Sequence, residues 1–206
     1  MILAFDTSSA ACTVALFDDG ECVASRDELI GRGHAERLVP MIAELMEGRA
    51  ADRILVGVGP GSFTGIRVAI AAAHGLAIGW DAELKGMSSL ALLAAGAAAD
   101  GEVAAAVTGG HGELFVRQFD AATTEPTSDL KNLSPAAAAE VVTAPLVIGS
   151  GARRLVEARG WGEAREAWPS AARALSLPEA LRNLPAKPVY ARAPDAKAPD
   201  SKAKAA

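Results

Sequence analysis

Residues 56–80 read VGVGPGSFTGIRVAIAAAHGLAIGW, and no feature constrains this chain more. A loop of glycines, a proline and two hydroxyl residues runs into a helical stretch made largely of alanine and glycine. From Val68 to Trp80 the segment carries no formal charge, and His74 is its only ionisable group. A helix that small and that uncharged needs a surface along its length, or an anion at its start. Burial in the chain's own core is the ordinary reason for an uncharged helix. A second protein lying along it is the rival. Gly65, Ala69, Ala72 and Ala73, spaced by four, three and one, make a flat stripe that another helix can approach closely.

The loop itself admits two readings. Free N–H groups at a helix start, with glycines that let an anion approach, would suit a phosphate. Yet Gly59-Pro60-Gly61-Ser62-Phe63-Thr64-Gly65 lacks the Gly-Lys-Ser/Thr ending that places a lysine on a terminal phosphate. A tight strand-to-helix turn with Ser62 or Thr64 as N-cap explains the same residues and is preferred. Asp6-Thr7-Ser8, where the apolar run ILAF stops, is similarly ambiguous. A carboxylate and hydroxyls there could hold a magnesium-bound nucleotide phosphate, and an Asx-turn leaving a strand needs the same residues.

Around this segment the chain alternates strand and helix signals. ILAF at 2–5 reads as a buried strand. CTVALF at 12–17 and ECVASR at 21–26 flank Asp19-Gly20, which suits a tight hairpin. HAERLVPMIAELMEGR places Ala35, Leu38, Val39, Ile42, Leu45 and Met46 on one helical face. Pro40 predicts a kink there or a later helix start, and Gly48 a stop. RILVGVG at 53–59 is a further strand, and AELKGMSSLALLAAGAA reads as strand, Ser88 or Ser89 cap, and helix. The second half starts again with EVAAAV at 102–107 and ELFVRQF at 113–119, joined by TGGHG. APLVIGSGARRLVEARG at 144–160 follows as strand, glycine turn and helix. The order echoes the first half without a sequence repeat. The final APDAKAPDSKAKAA reads as a disordered, mildly basic tail.

Composition narrows the function. The 206 residues suffice for one large domain or two lobes; 50% are apolar but only 4% aromatic. A net charge of −5 argues against a chain that grips nucleic acid alone. Cys12 and Cys22 have no metal-ligand spacing and read as buried free thiols in a cytoplasmic protein. Residues 62–79 look too polar and glycine-rich for a membrane span. His34, His74 and His111 form neither HExxH nor a pair four apart, so no metal site is assigned, and His111 reads as a surface residue. No GxSxG elbow occurs. No catalytic set emerges.

The motifs ILAFDTSSAACTVALFDDG, GHAERLVPMI, VGVGPGSFTGIRVAIAAAHGLAIG and KGMSSLALLA together resemble the bacterial TsaB family, the non-catalytic dimerisation subunit of the tRNA threonylcarbamoyladenosine system. PVYARAPDAK at 188–197 resembles the family's C-terminal signature. One departure stands in the middle: Thr108, Gly109, Gly110 and His111 precede Gly112-Glu113 where family members usually carry Asp-Ala-Arg. The resemblance implies an α/β, two-lobed actin-like ATPase fold (ASKHA, ribonuclease H-like) with mixed sheets flanked by helices. Its lobes would be residues 1–101 and 102–192, before a tail at 193–206.

It further implies pairing with a TsaD-type catalytic paralogue through helices of the first lobe, with a TsaE-type ATPase joining them. Transfer RNA is met only through the complex, on the adenosine beside the anticodon. The implied partner surface takes in His34, Leu38, Met41 and Leu45 on the first helix. From the loop and second helix it takes Gly59 through Gly65, that is Gly59, Pro60, Gly61, Ser62, Phe63, Thr64 and Gly65, then Arg67, Val68, Ala69, Ala72 and Ala73. No cofactor is required by this chain, with ATP or ADP and magnesium confined to the complex interface and to a weak candidate site at Asp6, Thr7 and Ser8. Homodimers through the same surface are expected when the partner is absent. An ATP-dependent phosphotransferase or a peptidase-like hydrolase acting alone is the alternative.

Overall fold

The computed structural model describes residues 1–189; the family-like signature from Tyr190 onward and the tail at 193–206 lie outside the described residues. The chain opens with β1 (Ile2–Asp6), β2 (Ala11–Asp18) and β3 (Glu21–Leu29), then α1 (His34–Met46), β4 (Arg53–Gly57), α2 (Phe63–Trp80), β5 (Glu83–Met87) and α3 (Ser89–Ala94). The second half runs β6 (Glu102–Thr108), β7 (Leu114–Asp120), β8 (Lys131–Leu133), α4 (Pro135–Val141), β9 (Leu146–Ile148), α5 (Ala152–Arg159), β10 (Glu163–Arg165) and α6 (Glu179–Arg182).

Each half builds one five-stranded sheet. In the first the order is β3-β2-β1-β4-β5, with β1, β2 and β3 antiparallel and β4 and β5 added in parallel to β1. In the second, β8-β7-β6-β9-β10 repeats that arrangement strand for strand, including the switch from antiparallel to parallel beside the first strand. The echo in the sequence is thus a duplicated topology. The fold is the mixed α/β, actin-like arrangement that the motifs imply.

Side chains alternate across each strand, so the two sheets generate three apolar layers. Leu3 and Phe5 of β1, Val14 and Leu16 of β2, and Ile54 and Val56 of β4 face outward onto α1 and α2. Ala4, Ala15 and Leu55 face inward, where α3 fills the space between the sheets and meets Val103, Ala105 and Phe119. Ala104, Ala106 and Val116 face α4 and α5 on the far side. The run of three alanines in β6 sits at the centre, each fully buried, because small side chains let helices close on both faces of a sheet.

Three expectations change. Of the two readings of Pro40, a kink or a later start, the later start does not hold: α1 begins at His34 and runs through Pro40. The proline sits on the exposed side, where water can satisfy the carbonyl left without a donor, while Leu38, Met41, Ile42 and Met46 bury the opposite face. Glu47, in the left-handed region, rather than Gly48 is the first residue past the helix. Cys22 is exposed, and only Cys12 is buried.

The second lobe also does not keep all of residues 102–192. Residues 171–189 return to the first sheet: Gly86 and Leu184 pair antiparallel, the Ala171 amide donates to Thr13 Oγ1 at 2.7 Å, and the Val189 amide donates to the Val58 carbonyl at 2.9 Å. The hairpin at Asp19-Gly20 forms as read, with both residues at positive φ. The segments at 120–143 and 161–187 carried no sequence assignment; their strands and helices are three to seven residues long, too short for periodicity to register.

Candidate functional site

Asp6, Thr7 and Ser8 end β1, the strand at the middle of the first sheet, and the loop 59–65 descends onto them. Asp6 is completely buried. Its Oδ1 accepts from the Ser8 amide and the Ser8 hydroxyl, each at 2.7 Å, and its Oδ2 accepts from the Ser89 hydroxyl. Burial pushes the carboxyl above its ordinary pKa, while the hydrogen bonds from Ser89 and Ser8 pull it back down. Thr7 Oγ1 donates to the Gly65 carbonyl at 2.7 Å, and the Ser62 amide donates to the Ser8 carbonyl at 2.7 Å.

The glycines of the loop face this corner. A Cβ on Gly61 would lie 3.0 Å from the Ser8 carbonyl carbon, and one on Gly65 3.0 Å from that of Thr7, each closer still to the attached oxygen. A Cβ on Gly57 would collide with the Asp6 carboxylate. The close approach that glycine permits is therefore used by the chain itself. The three residues do not fit a magnesium nucleotide as placed, since a metal needs carboxylate oxygens that reach it and both Asp6 oxygens are closed off. The Asx-turn is what these residues form. Gly59-Pro60 is a cis peptide, and of the two caps the sequence offers, Ser62 and Thr64, it is Ser62 that caps α2 by accepting from the Gly65 amide at 3.2 Å.

Beyond the loop, α2 packs Gly65, Ile66, Ala69, Ile70 and Ala73 on the sheet, and these five are the buried residues of eighteen. The small-residue stripe read as a partner surface is thus divided. Gly65, Ala69 and Ala73 are interior, as are Leu38 and Met41 of α1, and His34 is 9% exposed, its Nε2 without a hydrogen-bond partner among the described residues. These side chains support a surface rather than offer one. Leu45, Val68 and Ala72 are half-buried at its margin, and Ser62, Phe63, Thr64 and Arg67 are on it.

The exposed face of α2 continues through Ala71, His74, Gly75, Ile78 and Gly79. Ile78 is 84% exposed, and Val39 of the neighbouring α1 51%. Among the described residues, nothing outside the helix's own backbone lies within 4 Å of where a Cβ on Gly75 or Gly79 would stand. At the N-terminal end the Arg67 guanidinium stacks on the Phe63 ring, 3.5 Å from its centroid. At the other end an open groove of about 460 Å³ is bounded by His74, Ile78, Asp81, Leu84 and Lys187. By length and composition alone Phe63–Trp80 could cross a membrane, contrary to the reading of 62–79 as too polar.

Sequence reasoning missed Ile78 and Gly75. The signal was present: Ile78 is twelve residues after Ile66, roughly 120° around the helix from the buried flank. It missed Ser89 as well, since Ser88 is the cap of α3, accepting from the Ala91 amide at 3.3 Å, and the next serine binds Asp6.

The α1 flank is fixed by charge. Arg37 holds Glu28 of β3 with two 2.6 Å hydrogen bonds and Glu44 with two, at 2.8 and 3.4 Å, and Arg26 also pairs with Glu44. Hydrogen bonds from Arg37 depress both carboxyl pKa values. In the second lobe the TGGHG loop is tethered by Arg154, which donates to the Gly112 carbonyl at 2.9 Å, and by Asn132, which donates to Glu113 at 2.7 Å. His111 is exposed, with φ of 56°. Among the described residues no three His, Cys, Asp or Glu side chains converge as a metal-ligand set.

A duplicated actin-like fold whose first strand ends in a buried Asp-Thr-Ser corner defines the class. Within it, the model of the family described as TsaD, tRNA N6-adenosine threonylcarbamoyltransferase, matches residues 23–137. The TsaB protein of Escherichia coli K12 is 36% identical over 126 residues, covering 57% of this chain and 54% of that protein. That of Haemophilus influenzae is 42% identical over 98 residues, or 45% and 41%. The match spans about half the length of these curated relatives.

Two Pseudomonas aeruginosa structures align along nearly their whole length. One is described as an uncharacterized protein with similarity to peptidase YeaZ (TM-score 0.79, 31% identity, 93% of this chain and 99% of that one). The other is YeaZ (TM-score 0.77, 30% identity, 92% and 98%). The chain belongs to the TsaB (YeaZ) family, whose curated members are named for tRNA threonylcarbamoyladenosine biosynthesis.

Proposed function

We propose that the chain is the accessory, non-catalytic subunit of a cytoplasmic tRNA threonylcarbamoyltransferase complex, binding and activating a TsaD-type catalytic paralogue through the exposed face of α1 and α2. The observation that carries this reading is α2: it is uncharged from Val68 to Trp80, yet thirteen of its eighteen residues are not buried. Isolated apolar residues on a surface are ordinary, but a contiguous apolar helix face marks an interaction site. Gly75 and Gly79 let a partner's backbone come close, and Phe63, Val39 and Ile78 supply apolar anchors around them.

The partner brings the transfer chemistry and most of the tRNA contact, in keeping with this chain's net negative charge. A TsaE-type ATPase completes the assembly. ATP or ADP with magnesium, where it acts, binds at the junction with the partner rather than at Asp6. The same face closes on a second copy when the paralogue is missing. Light scattering and calorimetry on the chain mixed with the purified paralogue test the pairing. Ile78→Asp should abolish it while the chain stays folded, and unchanged pairing would reject this face. The name of one structural relative keeps a peptidase reading in view; metal-dependent proteolysis that survives repurification would favour it.

A further inference from the structure

The anion cradle read in the GPGSFTG loop is filled from within. Ser89 grips Gly59 twice: its amide donates to the Gly59 carbonyl at 3.1 Å, and its Oγ accepts from the Gly59 amide at 3.0 Å. The hydroxyl proton of Ser89 is then directed at Asp6 Oδ2, so a one-way chain runs from the Gly59 N–H through Ser89 to a buried carboxylate. Ser62 and Gly65 are pinned by Ser8 and Thr7 one turn further on.

All four anchors act on the seven residues, 59–65, that set where α2 starts and how it is directed, and of the sheet-facing residues of the helix they hold Gly65, at its start, alone. Ile66, Ala69 and Ile70 are held on the sheet by apolar packing. Fixing matters where Phe63, Arg67 and the exposed flank must be presented in one orientation. We infer that Asp6 and Ser89 are positioning residues: the buried carboxyl is an internal hydrogen-bond acceptor that, through Ser89, preorganises the start of α2 for the partner. This rests on the proposed pairing. Preorganisation strengthens binding by removing the cost of ordering the loop on association.

The test compares Ser89→Ala, Asp6→Asn and Asp6→Ala with Val147→Ala, a fully buried change in the second sheet that lowers stability without touching the loop. Hydrogen exchange and the dissociation constant for the paralogue are read on each. Ser89→Ala and Asp6→Ala should speed exchange within 59–67 and weaken pairing about tenfold, equivalent to ~1.4 kcal/mol. Asp6→Asn, which keeps an oxygen for Ser8, should recover part of the loss. Val147→Ala should destabilise yet pair normally.

Pairing that tracks thermal stability alone across all four variants would overturn the positioning role. Pairing retained in Ser89→Ala with fast exchange at 59–67 would do the same. Wild-type chain that never pairs, with the loop protected as expected, would instead reject the proposed function.

Discussion

Two glycines of α2, ten residues apart, should respond oppositely to the same substitution. At Gly65 an added Cβ would stand 3.0 Å from the Thr7 carbonyl carbon, nearer its oxygen, and 3.3 Å from Ser62 Cβ. The obstacle is backbone one residue past the central strand, which cannot swing aside as a side chain does. Forcing an extra carbon into such a site costs about 1–3 kcal/mol. Displacing the Thr7 to Gly65 hydrogen bond leaves a buried hydroxyl unpaired for about 1–3 more. The gain in helix propensity from glycine to alanine returns about 1 kcal/mol.

Gly65→Ala should therefore lose roughly 1–5 kcal/mol, a large part of the about 5–15 typical of a folded domain. At Gly75 none of the described residues outside the helix's own backbone lies within 4 Å, so only the propensity acts, and Gly75→Ala should gain roughly 0.5–1 kcal/mol. Urea unfolding followed by circular dichroism reads both as shifts in midpoint at constant slope. If Gly65→Ala stabilises as much as Gly75→Ala, the loop does not sit on β1 as described.

Leu38→Ala, which empties a fully buried site between α1 and the sheet, should cost about 2–5 kcal/mol in the same assay. Native protein at pH 8 should titrate one thiol with a disulfide reagent and two when unfolded, because Cys22 is exposed and burial pushes the Cys12 thiol up to about 11. The same raised pKa means that the stability Cys12 contributes is complete below the ordinary thiol pKa and fades as pH climbs toward 11. For Glu28 and Glu44 the sign reverses: their depressed pKa values give stability above the ordinary glutamate range that is lost as pH falls through it, and Arg37→Met should flatten that acid limb of the stability curve.

Much of the fold was legible because its largest elements carry strong period signals. The unbroken apolar runs of β1 and β4 and the 3.6 spacing of α1 each survive in one sequence. The second lobe was harder, since β8, β9 and β10 have three residues each and are held by neighbours rather than by pattern. The site was legible as a place but not as an orientation. Glycine and alanine carry too little hydropathy contrast to show which flank of α2 is buried, so the stripe of Gly65, Ala69 and Ala73 looked as exposed as that of Ala71, Gly75 and Ile78. Burial of the first stripe means that Gly65→Glu or Ala69→Arg would break the fold rather than only the pairing. Asp6 could be either a ligand or a turn residue until Ser89, eighty-three positions away, closed its second oxygen.

In the proposed role this chain enables a transfer that it does not perform. The most direct measurement is threonylcarbamoyl transfer to tRNA by the purified catalytic paralogue and its ATPase companion, with and without this chain. The account predicts product only when all are present and none from this chain alone. Product formed by this chain without the paralogue, or undiminished product when this chain is left out, would contradict it.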